Sequence, residues 1–321
     1  MIFEKQILNA YRGMAYTRCD DTGRVFYFSA ADFDGLQAEP YPFRASAGHT
    51  LQGYLYHYAD PIPGRVVVFD HGFGGGHTAY MKEIERLCRA GFLVFAYDHT
   101  GCMASGGETT NGMAQSLCDL NDCLTALKAD ARFAGFTFSV IGHSWGGFSC
   151  LNIAALHPDI VHVVVISGFI SVEQLINSYF GGIMSLYRPA LLRLERASNP
   201  QFVGYNAIDT LAATSAKVLL IYSDNDTLCK KAFHYDPLRA ALDGRENIRF
   251  LLISGKGHNP NYTTDAVAYK DTFFADLTKK SKKKLLETPE QKAAFIAAYD
   301  WARMTAQDDA VWSEILAALE A

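Results

Sequence analysis

From residue 65 onward the chain alternates short apolar runs, rich in β-branched residues, with longer stretches whose apolar residues recur at helical spacing. Runs of this length and uniform apolarity predict strands that are buried on both faces. Strands that alternate with helices form a parallel sheet covered by helices on both sides, so the sequence predicts an α/β fold. The predicted strands lie at residues 65–71, 93–99, 137–144, 161–168, 217–226 and 248–258.

The alternation stops between residues 169 and 214, where no strand-like run occurs and short helical stretches are separated by Gly and Pro. This segment predicts a small helical cap inserted between two strands of one sheet. The core of the fold then comprises residues 41–168 and 215–285. It includes an early hairpin, formed by the alternating stretches YPFRAS and LQGYLYHY.

Two terminal segments lie outside this core. Residues 1–40 are predicted to form an N-terminal extension, and residues 286–321 are predicted to form C-terminal helices. The first of those helices has a start signal in Thr288, Pro289 and Gln291. These residues fit an N-cap, a first-turn proline and the partner of a capping box.

A single serine stands between glycines where the third predicted strand passes into a helix, in the sequence Gly142-His143-Ser144-Trp145-Gly146. Serine on a sharp strand-to-helix turn takes an unfavourable backbone conformation, and side chains two positions away would collide with the turn. Glycine removes those clashes, and the N-terminus of the following helix directs N–H groups and positive partial charge to the same point. The pattern predicts that Ser144 is a nucleophile.

A serine hydroxyl needs a general base, and the base needs an acid that orients it. His258 follows the last strand in a Gly-rich loop, from which an imidazole can swing back over the sheet edge. The other histidines after Ser144 are interpreted as structural, because they lie at a helix end, at a strand start and in a helix; they are His157, His162 and His234. His258 is therefore the predicted base.

The acid is expected at the end of the preceding strand, where YSDNDTL offers Asp224 and Asp226. Because the two carboxylates are two residues apart on a turn, they cannot both face one imidazole. Asp226 lies further out on the loop and can reach across to His258, so Asp224 is interpreted as a turn or cap residue. The predicted catalytic residues are thus Ser144, Asp226 and His258.

Acyl transfer also needs N–H donors that already point at the developing oxyanion. Trp145, directly after the nucleophile, is predicted to supply one backbone N–H. The other is expected from the glycine-rich loop at residues 70–76, DHGFGGG, with Phe73 as the predicted donor. Asp98 ends the next strand and is interpreted as a buried structural carboxylate.

The stretches HGFGGG, DHTGCMASGG, GHSWGG, SDND and GKGH occur in the order and at the spacing of one large family. Over residues 42–280 the chain resembles the α/β-hydrolase superfamily, in the serine-nucleophile branch of esterases, lysophospholipase-like lipases and serine aminopeptidase-like proteins. The resemblance implies an eight-stranded, mostly parallel sheet with helices on both faces and a helical cap after the sixth strand. It also implies that Ser144, Asp226 and His258 are nucleophile, acid and base. A serine nucleophile argues against the haloalkane and epoxide branches, which use aspartate.

The predicted function is a serine hydrolase that cleaves a carboxylic ester of a small or medium acyl or aromatic substrate. An apolar cap over the serine would bind such a group, although the same residues could form the cap's own core. The candidate substrate-binding residues of the cap are Tyr179, Phe180, Met184 and Tyr187. The alternative is an aminopeptidase or amidase on the same triad, in which Glu173 or Glu195 could hold a substrate amine.

Two alternatives come from other protein classes. Residues 65–98 have the outline of a nucleotide-binding βαβ unit of an oxidoreductase, but aligning Gly72 and Gly74 with G-x-G-x-x-G puts His77 at the third glycine. A non-catalytic binding protein with the hydrolase fold is the second alternative. The presence of all three triad residue types counts against both.

Charge and cysteine content exclude several other classes. The formal net charge of −5 gives no indication of binding to nucleic acid or to an anionic membrane surface. The sequence shows no apolar run long enough to span a bilayer and no signal-peptide pattern at the N-terminus. The seven cysteines are scattered without a CxxC pair, which argues against disulfides or a zinc site and favours a cytoplasmic location. We expect a small-molecule substrate and neither a metal nor an organic cofactor.

Overall fold

The computed structural model describes residues 3–321 and contains an eight-stranded sheet together with a short two-stranded hairpin. The apolar runs form the inner strands because burial on both faces removes their β-branched side chains from water. The strands are β1 (Gln37–Pro40), β2 (Phe43–Arg44), β3 (Thr50–Leu51), β4 (Gly53–His57), β5 (Arg65–Asp70), β6 (Leu93–Tyr97), β7 (Thr137–His143), β8 (His162–Ile166), β9 (Lys217–Ser223) and β10 (Ile248–Ile253).

The sheet has the strand order β1-β4-β6-β5-β7-β8-β9-β10. The pairings of β1 with β4 and of β4 with β6 are antiparallel, and the pairings from β6 to β10 are parallel. The eight-stranded, mostly parallel sheet implied by the resemblance is therefore confirmed. The carboxyl ends of β5 and β7 lie side by side, with Asp70 opposite Gly142, at the point where the strand order reverses. Ligands of open α/β sheets bind at such a switch point.

Helices connect the strands and cover the sheet. In the described residues they are α1 (Glu4–Ala15), α2 (Met81–Arg89), α3 (Gln115–Ala129), α4 (Trp145–Asn152), α5 (Val172–Tyr179), α6 (Arg188–Ser198), α7 (Ala207–Ala213), α8 (Tyr235–Leu242), α9 (Thr264–Lys282), α10 (Pro289–Ala297), α11 (Trp301–Met304) and α12 (Asp309–Glu320). Successive residues of a strand point to opposite faces. Accordingly, Val66 and Val68 of β5 pack with residues of α3 and α4, whereas Val67 and Phe69 pack with residues of α2 and α12.

Three helices, α5, α6 and α7, lie between β8 and β9 in the chain. Since β8 is the sixth strand of the main sheet, this insertion has the position expected for the cap. Ser171 caps α5 by accepting a hydrogen bond from the N–H of Gln174, so the helix starts a few residues after the end of β8. The cap therefore begins close to the carboxyl edge of the sheet.

Both terminal segments pack onto the rest of the fold. Helix α1 lies against the cap helix α6, and Trp312 of α12 is fully buried beneath β8 and β9. The capping box at Thr288 and Gln291 is present at the start of α10. The sheet itself begins at Gln37, within the segment predicted as an extension, so the division of the chain into domains stays a proposal.

The seven cysteines all lie within the described residues and are free thiols. Among residues 3–321, no helix has both the length and the apolar composition needed to cross a membrane.

Candidate active site

Ser144 lies on the sharp turn between β7 and α4 with φ 57° and ψ −109°. A non-glycine residue in this region of φ carries a strain of about 1–3 kcal/mol, which persists only where the surroundings impose it. Here the N–H of Ser144 donates to the carbonyl of Ile166, and its carbonyl accepts from the N–H of Phe148. The neighbouring strand and the first turn of α4 together hold the serine in the strained conformation.

The glycines around Ser144 are required by close backbone contacts. A Cβ on Gly142 would lie 2.3 Å from the carbonyl oxygen of Gly146, and a Cβ on Gly146 would lie 2.1 Å from the carbonyl oxygen of Asp70. Real Cβ atoms do not approach a carbonyl oxygen this closely. The steric reason predicted for glycine at both positions is therefore present in the structure.

The Gly146→Ala variant should be less stable than the wild type by about 1–3 kcal/mol, since its methyl group would force α4 away from the end of β5. Urea unfolding followed by circular dichroism measures this loss. Gly181→Ala is the matched control, because a Cβ there meets nothing within 4 Å and φ is −90°. Equal stability of the two variants would contradict the close approach of α4 to β5.

The Asp226 carboxylate and the His258 imidazole form a hydrogen-bonded pair, with His258 Nδ1 2.8 Å from Asp226 Oδ2. The other oxygen, Oδ1, accepts the backbone N–H groups of Leu228 at 2.8 Å and Cys229 at 3.0 Å. Burial opposes ionisation of Asp226, but the hydrogen bond and charge of His258 and the two N–H donors outweigh it and hold the pKa below its ordinary value. Asp226 is thus a carboxylate that fixes the orientation of the ring.

Asp224 has a different role in the same turn. Its carboxylate accepts the hydroxyl of Ser254 at 2.7 Å and the N–H of Gly255 at 2.9 Å. Next to it, Asn225 Oδ1 accepts the N–H of Gly257 at 2.7 Å. These bonds attach the turn after β9 to the loop that carries His258, so Asp224 holds the two loops together while Asp226 contacts the imidazole.

A chain of hydrogen bonds, which sequence reasoning missed, joins the histidine loop to the glycine-rich loop after β5. His143 Nε2 donates to the carbonyl of His258 at 2.8 Å, and the Tyr80 hydroxyl donates to His143 Nδ1 at 2.8 Å. The N–H of Gly72 then donates to the Tyr80 oxygen at 3.1 Å. Burial, assisted by the nearby His258, lowers the pKa of His143 to about 3, so the ring stays neutral with one donor and one acceptor nitrogen.

His71 orients the peptide that precedes Phe73. Its Nδ1 lies 2.8 Å from the carbonyl of Gly72, and its Nε2 accepts the N–H of His99 at 3.0 Å, so the proton is on Nδ1. A trans peptide directs its C=O and N–H to opposite sides. The N–H of Phe73 therefore points away from His71, as an oxyanion donor requires.

Trp145 is the first residue of α4, so its backbone N–H has no partner within the helix. Its indole is buried and donates to the carbonyl of Met113 at 2.7 Å. The rings of Trp145 and Phe73 pack edge to face with 5.0 Å between centroids, so the two residues are in contact through their side chains. Their role in an oxyanion hole stays a prediction.

A buried charged cluster lies beneath this region. His99 Nε2 is 2.7 Å from Asp70, and His99 Nδ1 is 3.2 Å from Asp119. Burial disfavours the charged ring, but the two carboxylates outweigh it and raise the pKa of His99 to about 10. This imidazolium ties β5, β6 and α3 together. Its sequence signal is the repeated Asp-His pair at the ends of two adjacent strands.

Asp98 has the buried position expected from the sequence. Its Oδ1 accepts the backbone N–H of His77 at 2.9 Å and lies 2.7 Å from the ring nitrogen Nδ1 of His77. Burial opposes ionisation, but these contacts with His77 outweigh it and keep the pKa of Asp98 below its ordinary value. The carboxylate holds the end of the glycine-rich loop.

The candidate residues of the cap lie in different surroundings. The Tyr179 hydroxyl donates to the carbonyl of Leu228, beside the Asp226 turn, at 3.1 Å. Phe180 packs edge to face against Tyr11 of α1 with 6.3 Å between centroids. Met184 and Tyr187 belong to the short 3₁₀ helix Gly182–Tyr187 and are partly exposed. A substrate-binding role for these four residues stays a prediction.

Cys229 brings a third potential metal ligand to the Asp226–His258 pair. One ligand atom from each of the three residues lies within 4.8 Å of the others. Zinc binds the thiolate form of cysteine. Burial raises the pKa of the Cys229 thiol well above its ordinary value, and Asp226 already engages one ring nitrogen of His258. The residues therefore fit an acid–base pair beside a buried thiol better than a zinc centre.

Comparison with protein families gives one match that covers more than half of the chain. A family model described as serine aminopeptidase S33 matches residues 61–252. The matched region contains Ser144, Asp226 and the whole cap, and it ends before His258. Residues before 61 and after 252 lie outside the match.

Curated relatives match shorter regions. A RutD protein of Rhizobium rhizogenes, named as a carbamate hydrolase, is 26% identical over 112 residues, which cover 34% of this chain and 40% of that protein. Bifunctional epoxide hydrolase 2 of Sus scrofa is 31% identical over 128 residues, covering 38% of this chain and 22% of that protein. The chain thus spans less than half the length of these relatives.

Solved structures with the same fold cover more of the chain. An esterase of Pyrococcus furiosus superposes with a TM-score of 0.58 at 19% identity, covering 81% of this chain and 96% of the esterase. A puromycin-hydrolysing peptidase of Mycobacterium tuberculosis gives a TM-score of 0.52 at 15% identity, covering 69% and 36% of the two chains. At these identities the likeness concerns the fold alone.

Proposed function

The chain belongs to the α/β-hydrolases, in the family described as serine aminopeptidase S33, and from this membership we propose that it is a serine hydrolase that cleaves carboxylic esters. Two observations together carry the proposal: the strained elbow at Ser144, and an imidazole, that of His258, held by a carboxylate. Backbone strain is found at active sites, where it can expose a reactive side chain. An imidazole that is hydrogen-bonded to a carboxylate is the base that a serine nucleophile needs.

In the proposed reaction, His258 Nε2 takes the proton of Ser144 as Oγ attacks the substrate carbonyl carbon. Asp226 accepts the Nδ1–H of His258, and this hydrogen bond leaves Nε2 as the basic nitrogen. The negative charge of Asp226 also stabilises the imidazolium that forms. His258 then gives the proton to the leaving alcohol, and water repeats the two steps on the acyl-enzyme.

The tetrahedral oxyanion would be stabilised by the N–H groups of Phe73 and Trp145 and by the N-terminus of α4. The Gly72–Phe73 peptide is oriented by His71 before substrate binds, and α4 is anchored by its contact with the end of β5. Such preorganised donors cost no reorganisation when the charge develops. Every step in this scheme uses groups of the chain and water.

Esters are favoured over peptides because neither cap glutamate is suited to hold a substrate amine. Glu195 is fully buried, and it accepts the Tyr11 hydroxyl at 2.7 Å and the N–H of Met113 at 2.9 Å. Burial raises its pKa, which opposes the charged form that an amine would require. Glu173 is exposed on the first turn of α5. Amide hydrolysis on the same triad is the second candidate, which the family description and the carbamate hydrolase relative support.

Turnover of two substrate series tests the proposal. p-Nitrophenyl esters from acetate to octanoate and aminoacyl p-nitroanilides release chromophores that are followed by absorbance. We expect kcat/KM for the short esters to exceed that for every anilide by at least about 100-fold, because esters lose a better leaving group and need no amine-binding carboxylate. Faster turnover of an anilide would favour the amidase instead.

A further inference from the structure

A cleft of about 230 Å³ opens beside the glycine-rich loop after β5. Residues 72–80 form one side of it, residues 25–28 of the N-terminal segment form another, and residues of α9 and α11 close the third. The last two segments lie outside residues 61–252, the region that the family model matches. This cleft, called the aryl cleft below, is therefore built largely from parts of the chain beyond the matched region.

Aromatic rings in tilted or edge-to-face contact line the aryl cleft. Phe26 lies 5.0 Å from Phe28 and 6.0 Å from Trp301 between ring centroids, and Trp301 lies 5.1 Å from Phe273. Phe273 belongs to a small buried core formed by the C-terminal helices, which fixes the far wall. Rings held by one another in this way present faces and edges suited to another aromatic group.

The near wall of the aryl cleft is part of the proposed oxyanion hole. Gly72, Phe73 and Tyr80 line it, and Phe73 is also the expected oxyanion donor. A Cβ on Gly75 would meet only the Cβ of Ala79, at 3.6 Å. Glycine at this position therefore keeps space open in the cleft. Because the loop that carries Phe73 also forms this wall, a ring bound in the cleft would lie beside the expected oxyanion donor.

Lys270 is the one charged residue among the described residues that line the aryl cleft. Its ammonium donates to Asn259 Oδ1 at 3.0 Å and lies 4.9 Å from the centre of the Tyr262 ring. The ammonium of Lys270 would repel a second cation at this place. The lining is thus unfavourable for a substrate that carries a free ammonium group.

We propose that the aryl cleft is the specificity site of the enzyme and binds one uncharged aromatic ring of the ester substrate. The inference rests on the proposed serine hydrolase function and adds its substrate class. At about 30 Å³ per water molecule in the liquid, the cleft of about 230 Å³ has room for a single ring with its linking carbon, and its aromatic walls favour a ring over a flexible acyl chain. The ring belongs either to the acyl group or to the leaving alcohol.

The Ala79→Leu variant narrows the aryl cleft, and pH-stat titration compares its kcat/KM for three esters with that of the wild type. Ethyl acetate has no ring, ethyl phenylacetate has the ring on the acyl side, and benzyl acetate has it on the alcohol side. We expect one of the two aryl esters to fall at least about tenfold relative to ethyl acetate, because the added carbons take the space of the ring. The ester that falls identifies the side.

Two further variants keep this test decisive. Gly75→Ala adds a single methyl group in ordinary contact with Ala79 and should shift the same ratio in the same direction, by about threefold or more. Ala317→Leu adds the same atoms as Ala79→Leu on the exposed face of α12 and should leave the ratio unchanged. An unchanged ratio for both aryl esters in the two cleft variants, or an equal fall for all three esters, overturns the proposal.

Labelling with a fluorophosphonate distinguishes failure of the aryl cleft assignment from failure of the serine hydrolase proposal. If Ser144 of the wild type is labelled and the cleft variants keep the wild-type substrate ratio, the assignment of the aryl cleft alone is wrong. If the wild type takes no label at Ser144 and turns over none of the esters, the serine hydrolase proposal fails, and the substrate class falls with it.

Discussion

Replacing Ser144 with alanine is expected to lower kcat for ester hydrolysis by at least about 10⁴-fold. The variant keeps the backbone contacts of the elbow, since the hydrogen bonds of Ser144 to Ile166 and Phe148 are made by its main chain. It loses only the oxygen that would form the acyl-enzyme. Activity left by the oxyanion donors and by substrate binding alone accounts for the residual rate. Initial rates with p-nitrophenyl acetate measure the loss, and thermal unfolding checks that the fold is retained.

Ser313→Ala is the matched control for this variant. Ser313 is exposed on α12, and its hydroxyl donates only to the carbonyl of Asp309 in the same helix. Its rate should therefore stay within about twofold of the wild type, as is usual for surface substitutions. Retention of the wild-type rate by Ser144→Ala would show that the nucleophile has been assigned to the wrong residue.

Asp226→Asn is expected to lower kcat by about 10⁴-fold. An asparagine can keep its oxygen on the N–H groups of Leu228 and Cys229, which then turns its NH₂ group toward His258 Nδ1. Two donors cannot share that contact, so the ring is driven to the tautomer with its proton on Nε2. A proton on Nε2 prevents the ring from accepting the proton of Ser144.

Asp224→Asn provides a control two residues away with the same chemical change. The side-chain oxygen can still accept the N–H of Gly255, and the NH₂ group then faces the hydroxyl of Ser254, which has to change from donor to acceptor. One hydrogen bond between exposed groups contributes about 1 kcal/mol, so kcat should fall by less than about tenfold. Steady-state rates and the unfolding midpoints of both variants distinguish catalysis from stability. Equal losses in the two variants would contradict the assignment of Asp226 as the acid.

The parts of the fold that depend on local sequence were predictable. Uniform apolar runs indicated the buried strands, and glycines at fixed spacing indicated the elbow at Ser144. The choice of Asp226 over Asp224 followed from the reach of each side chain along one turn, and the structure gives the imidazole contact to Asp226. Helix boundaries were less predictable: residues His77–Tyr80 form a separate tight turn before α2, which the spacing of apolar residues does not distinguish from the helix.

Contacts between residues far apart in the chain were not predictable, because no local pattern encodes them. Tyr80 and His143 are 63 residues apart, and nothing near either residue indicates the hydrogen bond that links them. Tyr11 and Glu195 are 184 residues apart, and their contact ties the N-terminal helix to the cap. Glu195 was considered as a ligand for a substrate amine only because its burial could not be seen from the sequence.

The aryl cleft could not be predicted either, because it is formed by residues that are far apart in the chain. Phe26 and Trp301 come from segments that sequence reasoning placed outside the common core, and Phe273 comes from the last helix within it. No motif in these segments indicates a binding site. They meet only because the N-terminal segment and the C-terminal helices pack on the same side of the glycine-rich loop. The cap was predicted as the apolar binding surface because the family pattern places it there. That pattern does not include the segments that carry Phe26 and Trp301.

Mass spectrometry after treatment with a fluorophosphonate tests whether Ser144 is an activated nucleophile. The reagent forms a stable bond with an activated serine, so the experiment needs no knowledge of the natural substrate. We expect one adduct per chain, on the peptide that contains Ser144. The adduct should be absent from Ser144→Ala and strongly reduced in Asp226→Asn. An unlabelled wild type, or an adduct that persists on another serine in Ser144→Ala, would contradict the assignment of Ser144 as the nucleophile.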